Sequence, residues 1–266
     1  YIVSRETKRF VKVALSGDGG DELFAGYRSY LGEYWRRRYL MIPAFLREYL
    51  IEKAIWAMPD SRDVRILEYI RRIKKFIKGT KGSFPERILS LKEIIPFDIR
   101  RQILTPAFNK DIQDPALVWL KKRLRYWPDD TLKMILYIDL KESLPGDMLN
   151  KVDWMSMKNS LEVRVPFLDH RVVELSFMID SSMKIHKGTS KYILKETFKK
   201  ILPQRLYRRP KSGFEIPIGR WLKGELKFLM DKYLSRERIM DQAIFEYEVI
   251  KDLIEDLLLA RTDTSW

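Results

Sequence analysis

Cysteine is absent from all 266 residues, and histidine occurs twice, at His170 and His186. The first absence excludes a disulfide framework, a cysteine-based zinc site and a catalytic thiol. The second excludes a histidine-rich metal centre. A reducing, cytoplasmic setting is compatible with a chain that carries no thiol. No apolar run approaches the roughly 20 residues that a membrane-spanning helix needs, and no secretory leader is visible. The chain opens on Tyr1 rather than methionine. That leads to the expectation that it is a piece of something longer.

Hydrophobic residues make up 45% of the chain, a composition that folds, and the length suffices for one large domain or two small ones. Basic side chains number 51 against 37 acidic ones, and 51 − 37 gives a net charge of +14. A balance that basic invites anionic partners: nucleotides, nucleic acid or a membrane surface.

The pattern along the chain predicts one strand followed by many helices. The apolar run Val11–Leu15 reads as a buried strand, and a lone apolar strand wants neighbours on both sides. They are expected from chain outside this sequence or from very short strands within it. Helical spacing runs from Asp21 to about Met41, with Leu23, Tyr27, Tyr30, Leu31, Tyr34 and Trp35 on one face. It continues through 45–58 and 61–78. Residues 79–85 read as a loop, and 86–130 as short helical segments broken by prolines. Pro128-Asp129-Asp130 opens a helix expected to reach about Ser143. Residues 190–201 and 241–260 read as amphipathic helices, and 261–266 as a frayed end. The expected fold class is mostly α: the C-terminal helical section of an α/β parallel-sheet, adenine-nucleotide-binding domain. Its expected divisions are 1–30 (strand, acidic glycine turn and helix), 31–130 (helical section), 131–222 (active-site helices and loops) and 223–266 (C-terminal helices).

The stretch Ser16-Gly17-Asp18-Gly19-Gly20-Asp21-Glu22 follows the strand. A glycine-rich turn lets backbone approach a ligand, and the helix start behind it offers N–H groups to anions. Asp18, Asp21 and Glu22 would repel a bare phosphate. They make sense if Mg²⁺ bridges carboxylate and phosphate, or if a carboxylate holds a substrate amine. Aspartates that merely cap the helix are the other reading. Lys191 falls near a helix start, where a cation opposes the dipole unless an anion comes to meet it; an ordinary exposed lysine fits equally. Glu162 and Arg164 have the spacing of neighbours on one face of a strand-like segment. They fit an ion pair that either shapes a pocket or serves architecture. Asp153 and Lys151 are weaker candidates for substrate contact.

Ser16 to Tyr27 resembles the "LSG(E/D)G(S/A/G)DE(L/V)F.GY" stretch of glutamine-dependent asparagine synthetases. Met155-Ser156-Met157 with Ser160 to Asp169 resembles that family's "SMA.SLE.RVPFLD". Gly188 to Lys195 resembles its "G..K.ILR", and Arg209 to Phe214, with Pro217 and Trp221, its "R.K.GF..P...WL". The four blocks occur in the family's order, while residues 31–130 match only in being helical. The resemblance implies an enzyme that uses MgATP to adenylate a carboxylate, most often the aspartate side chain. It releases pyrophosphate and passes ammonia from glutamine to the acyl-adenylate. It implies ATP and Mg²⁺ as cofactors and small-molecule partners: aspartate or a related acid, ATP, and ammonia from glutamine. It leaves a homodimer open. The glutamine-hydrolysing domain uses an N-terminal cysteine and so is not in this sequence. The family's S-G-G-x-D-S pyrophosphate loop is not here either. The sequence therefore reads as the C-terminal part of a synthetase domain, inactive alone, whose partner is the missing N-terminal part of the same protein.

Carried over residue by residue, Ser16, Gly17, Asp18 and Gly19 line the acyl-adenylate, with Asp18 and Lys191 placed in the chemistry. Asp21 is the Mg²⁺ ligand, Lys191 faces the phosphates, and Glu162 and Arg164 shape the substrate pocket. Two departures bear on the substrate. Many asparagine synthetases have Glu where this chain has Asp18, and the Asp form looks more like members that amidate other acids, including sugar acids of surface polysaccharides. Trp154 stands where a basic residue commonly follows the family's Asp. Two other classes compete. Basic clusters such as Arg36-Arg37-Arg38 and Lys121-Lys122-Arg123 with nearby aromatics fit a nucleic-acid-binding helical domain. Asp18 and Asp21 fit a metal-dependent hydrolase. A degenerate, non-catalytic partner domain is a third alternative.

Overall fold

A computed structural model of the chain describes residues 1–59, 65–110, 113–124, 130–208 and 217–259. Helices dominate it, with four strands of two or three residues among the described residues, in agreement with a mostly α section of an α/β domain. The described residues fall into two units, one within Tyr1–Lys81 and Leu124–Arg209, the other within Gly82–Arg123 and Pro210–Trp266.

In the first unit the expected strand is shorter and less buried than its apolar run predicts. Strand β1 spans Val13–Leu15, and Val13 and Leu15 are 39% and 74% exposed. Its partner lies in the same chain. Strand β2, Glu162–Arg164, runs parallel to it in the register Val13 to Glu162, Ala14 to Val163 and Leu15 to Arg164. No other strand lies beside β1 among the described residues, so its apolar side chains stay open. The ladder extends by one bond at each end. Glu162 N–H donates to the Lys12 carbonyl at 3.0 Å, and Ser16 N–H donates to the Arg164 carbonyl at 2.8 Å. The Lys8 ammonium ties the preceding helix to the Ser160 carbonyl.

The single helix expected over 21–41 is two, Gly20–Phe24 and Arg28–Leu40. Ala25 ends the first in the left-handed region, with φ 57°. Of the expected face, Leu23 and Tyr30 are buried, but Trp35 is largely exposed. The helix expected to end near Ser143 continues. Thr131–Ile138 passes into a widened π section, Asp139–Leu149, and then into Asn150–Met157. Proline has no N–H to give an α-helical ladder; Pro145 sits inside the widened section instead. Asp130 caps this helix, its Oδ1 accepting from Lys133 N–H at 3.1 Å. Pro128 and Asp129 lie outside the described residues. Leu23, Tyr30, Ile135, Leu136, Ile138 and Leu144 form the buried interior of this unit.

The segment expected as a helix over 190–201 starts as a hairpin. Strands β3, Ile185–His186, and β4, Thr189–Ser190, pair antiparallel. Lys187 and Gly188 both take positive φ, at 48° and 79°, which suits a tight two-residue turn. The helix itself is Tyr192–Phe198.

The loop expected over 79–85 is present from Gly79 to Ser83, between the helix that ends at Lys78 and the one that begins at Phe84 in the second unit. Ser83 and Glu86 make a capping box that starts the helix Phe84–Lys92. Phe97–Ile103 and Pro115–Leu124 follow. The helix expected over 241–260 is Tyr247–Leu258, because Ala243, φ 53°, closes Arg236–Gln242 first. An antiparallel bridge joins Phe245 to Leu104. Residues 261–266 lie outside the described residues, as do 60–64 at the start of the helix expected over 61–78.

Candidate functional site

The site is built where β1 ends. Beyond Leu15 the chain turns through Ser16-Gly17-Asp18-Gly19 into the Gly20–Phe24 helix. The Ser16 hydroxyl donates to Asp18 Oδ2 at 2.5 Å, which pins the first carboxylate of the turn. A Cβ on Gly17 would meet nothing within 4 Å, so the backbone there is open to a ligand. Gly19 is the opposite case. It takes φ +84°, and a Cβ on it would stand 2.5 Å from Leu168 Cδ2. Phe24 meets Phe167 edge to face at 6.0 Å. The residues Phe167 and Leu168 of the second motif block are thus what the first block packs on.

The three acids of the turn separate by burial. Glu22 is buried and accepts a hydrogen bond from the Tyr27 hydroxyl at 2.6 Å. Burial, and then the Glu22 carboxylate, push the Tyr27 phenol well above its ordinary range. Asp21 faces the third block. Its Oδ1 lies 2.7 Å from the Lys191 ammonium, with side-chain exposures of 19% and 33%. Lys191 is not inside the helix expected over 190–201. It follows β4 in the left-handed region, φ 53°, and is itself the cap residue of Tyr192–Phe198. The hairpin, rather than the helix, therefore aims it, and the anion that meets it is a carboxylate of the first block.

Glu162 and Arg164 form an ion pair at 2.7 Å with both side chains more than half exposed. A pair that wet contributes little to stability, about 0–1 kcal/mol. Glu162 and Asp153 line one cavity of about 630 Å³. Lys151 turns away from Asp153 to pair with Asp147 at 2.9 Å. Asp169, the end of the second block, caps the helix His170–Met178 and grips Arg171 through both oxygens, each at 2.9 Å. The Arg171 guanidinium, with its N–H, holds the Asp169 carboxyl down at about 2. Residues 209–214 of the fourth block lie outside the described residues; Pro217 and Trp221 begin and occupy the helix Ile218–Lys223.

Two polar features carry no signal in the sequence. A cavity of about 450 Å³ is lined by Tyr34, Arg37, Asp130 and Ser181 among others; Ser181 donates to Asp130 Oδ2 at 2.7 Å. Neither of these two cavities is lined by Ser16, Asp18, Asp21 or Lys191. Lys184 is wholly buried, with its ammonium 5.1 Å from the centre of the Phe177 ring. Burial, helped by Lys133 and opposed by Asp130, pushes it down to about 8.

No group of three or more His, Cys, Asp or Glu among the described residues is arranged to hold a metal ion. The turn does offer Asp21, with Asp18 in the same turn. That fits a Mg²⁺ ion, which takes one or two protein carboxylates and draws its remaining ligands from phosphates and water. The arrangement thus combines an open backbone, two carboxylates and one cation at the carboxyl end of a parallel strand.

In open α/β sheets, ligands bind at the carboxyl ends of the strands, and the mostly helical chain with its parallel strand pair fits a section of an α/β domain. The chain belongs to the asparagine synthase family: the family model described as asparagine synthase matches residues 1–266. Asparagine synthetase [glutamine-hydrolyzing] 1 of Bacillus subtilis (strain 168) is 31% identical over 267 residues, covering 100% of this chain and 40% of the relative. Asparagine synthetase [glutamine-hydrolyzing] 3 of the same organism is 28% identical, covering 79% of this chain and 27% of the relative. The Gallus gallus asparagine synthetase [glutamine-hydrolyzing] is 35% identical over 101 residues, covering 37% of this chain and 18% of the relative. The chain thus spans well under half the length of these relatives. No solved structure matches it at a significant level.

Proposed function

We propose that this chain supplies part of the synthetase site of an ATP-dependent, amide-forming ligase, and that it is inactive without the rest of that site. The observation that carries the reading is the 2.7 Å contact between Lys191 and Asp21. It brings the third motif block onto the first, beside the pinned Asp18 and the open Gly17.

The open backbone of the turn accepts the acyl-adenylate, with Ser16, Gly17, Asp18 and Gly19 around it. Asp18, held by the Ser16 hydroxyl, orients the amine or ammonia that attacks. The Lys191 ammonium stabilises the charge that grows on the phosphates as pyrophosphate leaves, a preorganised electrostatic role. Asp21 would hold Mg²⁺, which when bound neutralises phosphate charge. Glu162 and Arg164, paired on β2, shape the substrate side. Aspartate is the acid and glutamine the nitrogen source by analogy with the relatives, acting in cytoplasm. A sugar acid is the second reading, favoured by the short Asp18 side chain and the space over Gly17.

Nucleic-acid binding is less well supported. Cations of the basic clusters are engaged within the chain: Arg36 on Glu33 at 3.3 Å, Arg38 over Tyr34 at 4.1 Å, Arg123 over Trp119 at 5.2 Å.

The test is pyrophosphate release from MgATP by the longest native chain that contains these residues, with aspartate and with sugar acids offered in parallel. Release that requires one of the acids supports the ligase reading and selects the substrate class. No release with any acid contradicts it.

A further inference from the structure

Gly26 stands at the foot of the Lys191–Asp21 pair. Its N–H donates to the Asp21 carbonyl at 2.9 Å, just after Ala25 has turned the chain out of the Gly20–Phe24 helix. Its φ is not in the left-handed region, so nothing in the backbone conformation itself demands glycine. What demands it is the site. A Cβ on Gly26 would overlap both Asp21 Oδ1 and Lys191 Cε, and would stand 2.7 Å from Asp21 Cγ. All three atoms belong to side-chain ends. Gly19 differs on both counts, since its φ is +84° and its neighbours are the packed Leu168 and Phe167.

We propose that Gly26 is a positioning residue: its missing side chain is what lets the Lys191 ammonium and the Asp21 carboxylate meet, and any larger residue there splits the pair while leaving the fold standing. The contact is inflexible from the other side as well. Lys191 leaves a hairpin in a left-handed conformation, which an L-residue holds only when its surroundings fix it. A methyl group on Gly26 would overlap Lys191 Cε as well as the Asp21 carboxylate, so it displaces the ammonium from its partner. That displacement is on the scale that costs a preorganised site its advantage. The use of the pair in catalysis rests on the synthetase reading above; the existence of the constraint does not.

The test reads Lys191 itself in the longest native chain that contains it. Competitive acetylation with acetic anhydride is scored by mass spectrometry at the Lys191 peptide, because an ammonium seated on a carboxylate is shielded from the reagent. Wild type is compared with Gly26→Ala, Asp21→Asn, the double variant, and Gly32→Ala, whose glycine has nothing within 4 Å. The expected result is a rise of about threefold or more in Gly26→Ala and Asp21→Asn alike, no further rise in the double variant, and none in Gly32→Ala, as two changes acting through one contact require. Unchanged Lys191 reactivity in a folded Gly26→Ala overturns the proposal, and so do two effects that multiply in the double variant. If Gly26→Ala fails to fold, the same change is made with Asp21 and Lys191 both alanine. Recovery of folding then supports the proposal, and continued failure overturns it. The readout needs no turnover. A chain that makes no pyrophosphate would sink the functional reading and leave this one to stand or fall by the acetylation result.

Discussion

Asp21 and Lys191 carry the same kinds of charge as Glu22, Asp139 and Lys184, in the same unit, but the two sets meet water differently. The first pair is partly exposed, and each member has the other as partner. The second set is buried. Asp139 accepts from the Tyr30 hydroxyl at 2.6 Å and from Ser143 at 2.9 Å, Glu22 accepts from Tyr27, and Lys184 faces an aromatic ring. A half-exposed charge can change partner when a ligand arrives. A buried one has already been committed to the fold, because removing its partner leaves a polar group without water. Burial alone is therefore a poor guide to the site; exposure combined with an exchangeable partner is a better one.

Substitutions can break this contrast, and the buried set has the larger effects on stability. Asp139→Ala removes the acceptor of the buried Tyr30 hydroxyl and is expected to cost about 3 kcal/mol in urea unfolding. Lys184→Met is expected to stabilise the chain by about 2 kcal/mol at pH 7, since an ammonium that burial disfavours is replaced by an apolar side chain. Its pH dependence has a definite sign. The Lys184 amine is held at about 8 in the fold against 10.5 for the ordinary group. Between those values the unfolded chain binds more protons, so stability rises with pH from about 8 to 10.5 and is flat below. The rise attributable to this group vanishes in Lys184→Met, which comparing unfolding midpoints at pH 7 and pH 10 would reveal. Asp130→Ala removes a helix cap and the Ser181 acceptor and is expected to cost about 1 kcal/mol. Asp21→Asn and Lys191→Ala come last, with less than about 1 kcal/mol each, because a partly exposed ion pair contributes little to folding. A large loss of stability in Lys191→Ala would erase the distinction between the sets.

The family was legible in the sequence where residue types recur in ordered blocks. Asp18, Asp21 and Lys191 stand in motif blocks whose types and order identify a family, and the fold brings the Asp21 and Lys191 blocks together. What the sequence hides depends on distance and local geometry. The strand-like spacing of Glu162 and Arg164 was legible and is strand β2, but three residues say nothing of which strand they pair with, and the parallel register with Val13–Leu15 is set about 150 residues away in sequence. Lys191 looks helical because the residues after it are, yet Lys187 and Gly188 make a turn that a Lys-Gly pair signals only weakly. Pro145 reads as a helix stop, and only a widened helical section admits it. Ser83 and Glu86 did carry a readable capping signal, masked by the glycine and proline around them. Lys184, in a Ser-Ser-Met-Lys stretch, has the sequence signature of a solvated lysine, and nothing local says that it is buried.

The most direct measurement sets the two lysines against each other. Acid-dependent pyrophosphate release is followed in the longest native chain, comparing Lys191→Ala with Lys184→Met. The account predicts a loss of about 10²–10³ in kcat for Lys191→Ala, the scale of one lost transition-state donor, and a change within about threefold for Lys184→Met. Equal losses in both variants, or full release by Lys191→Ala, would contradict it.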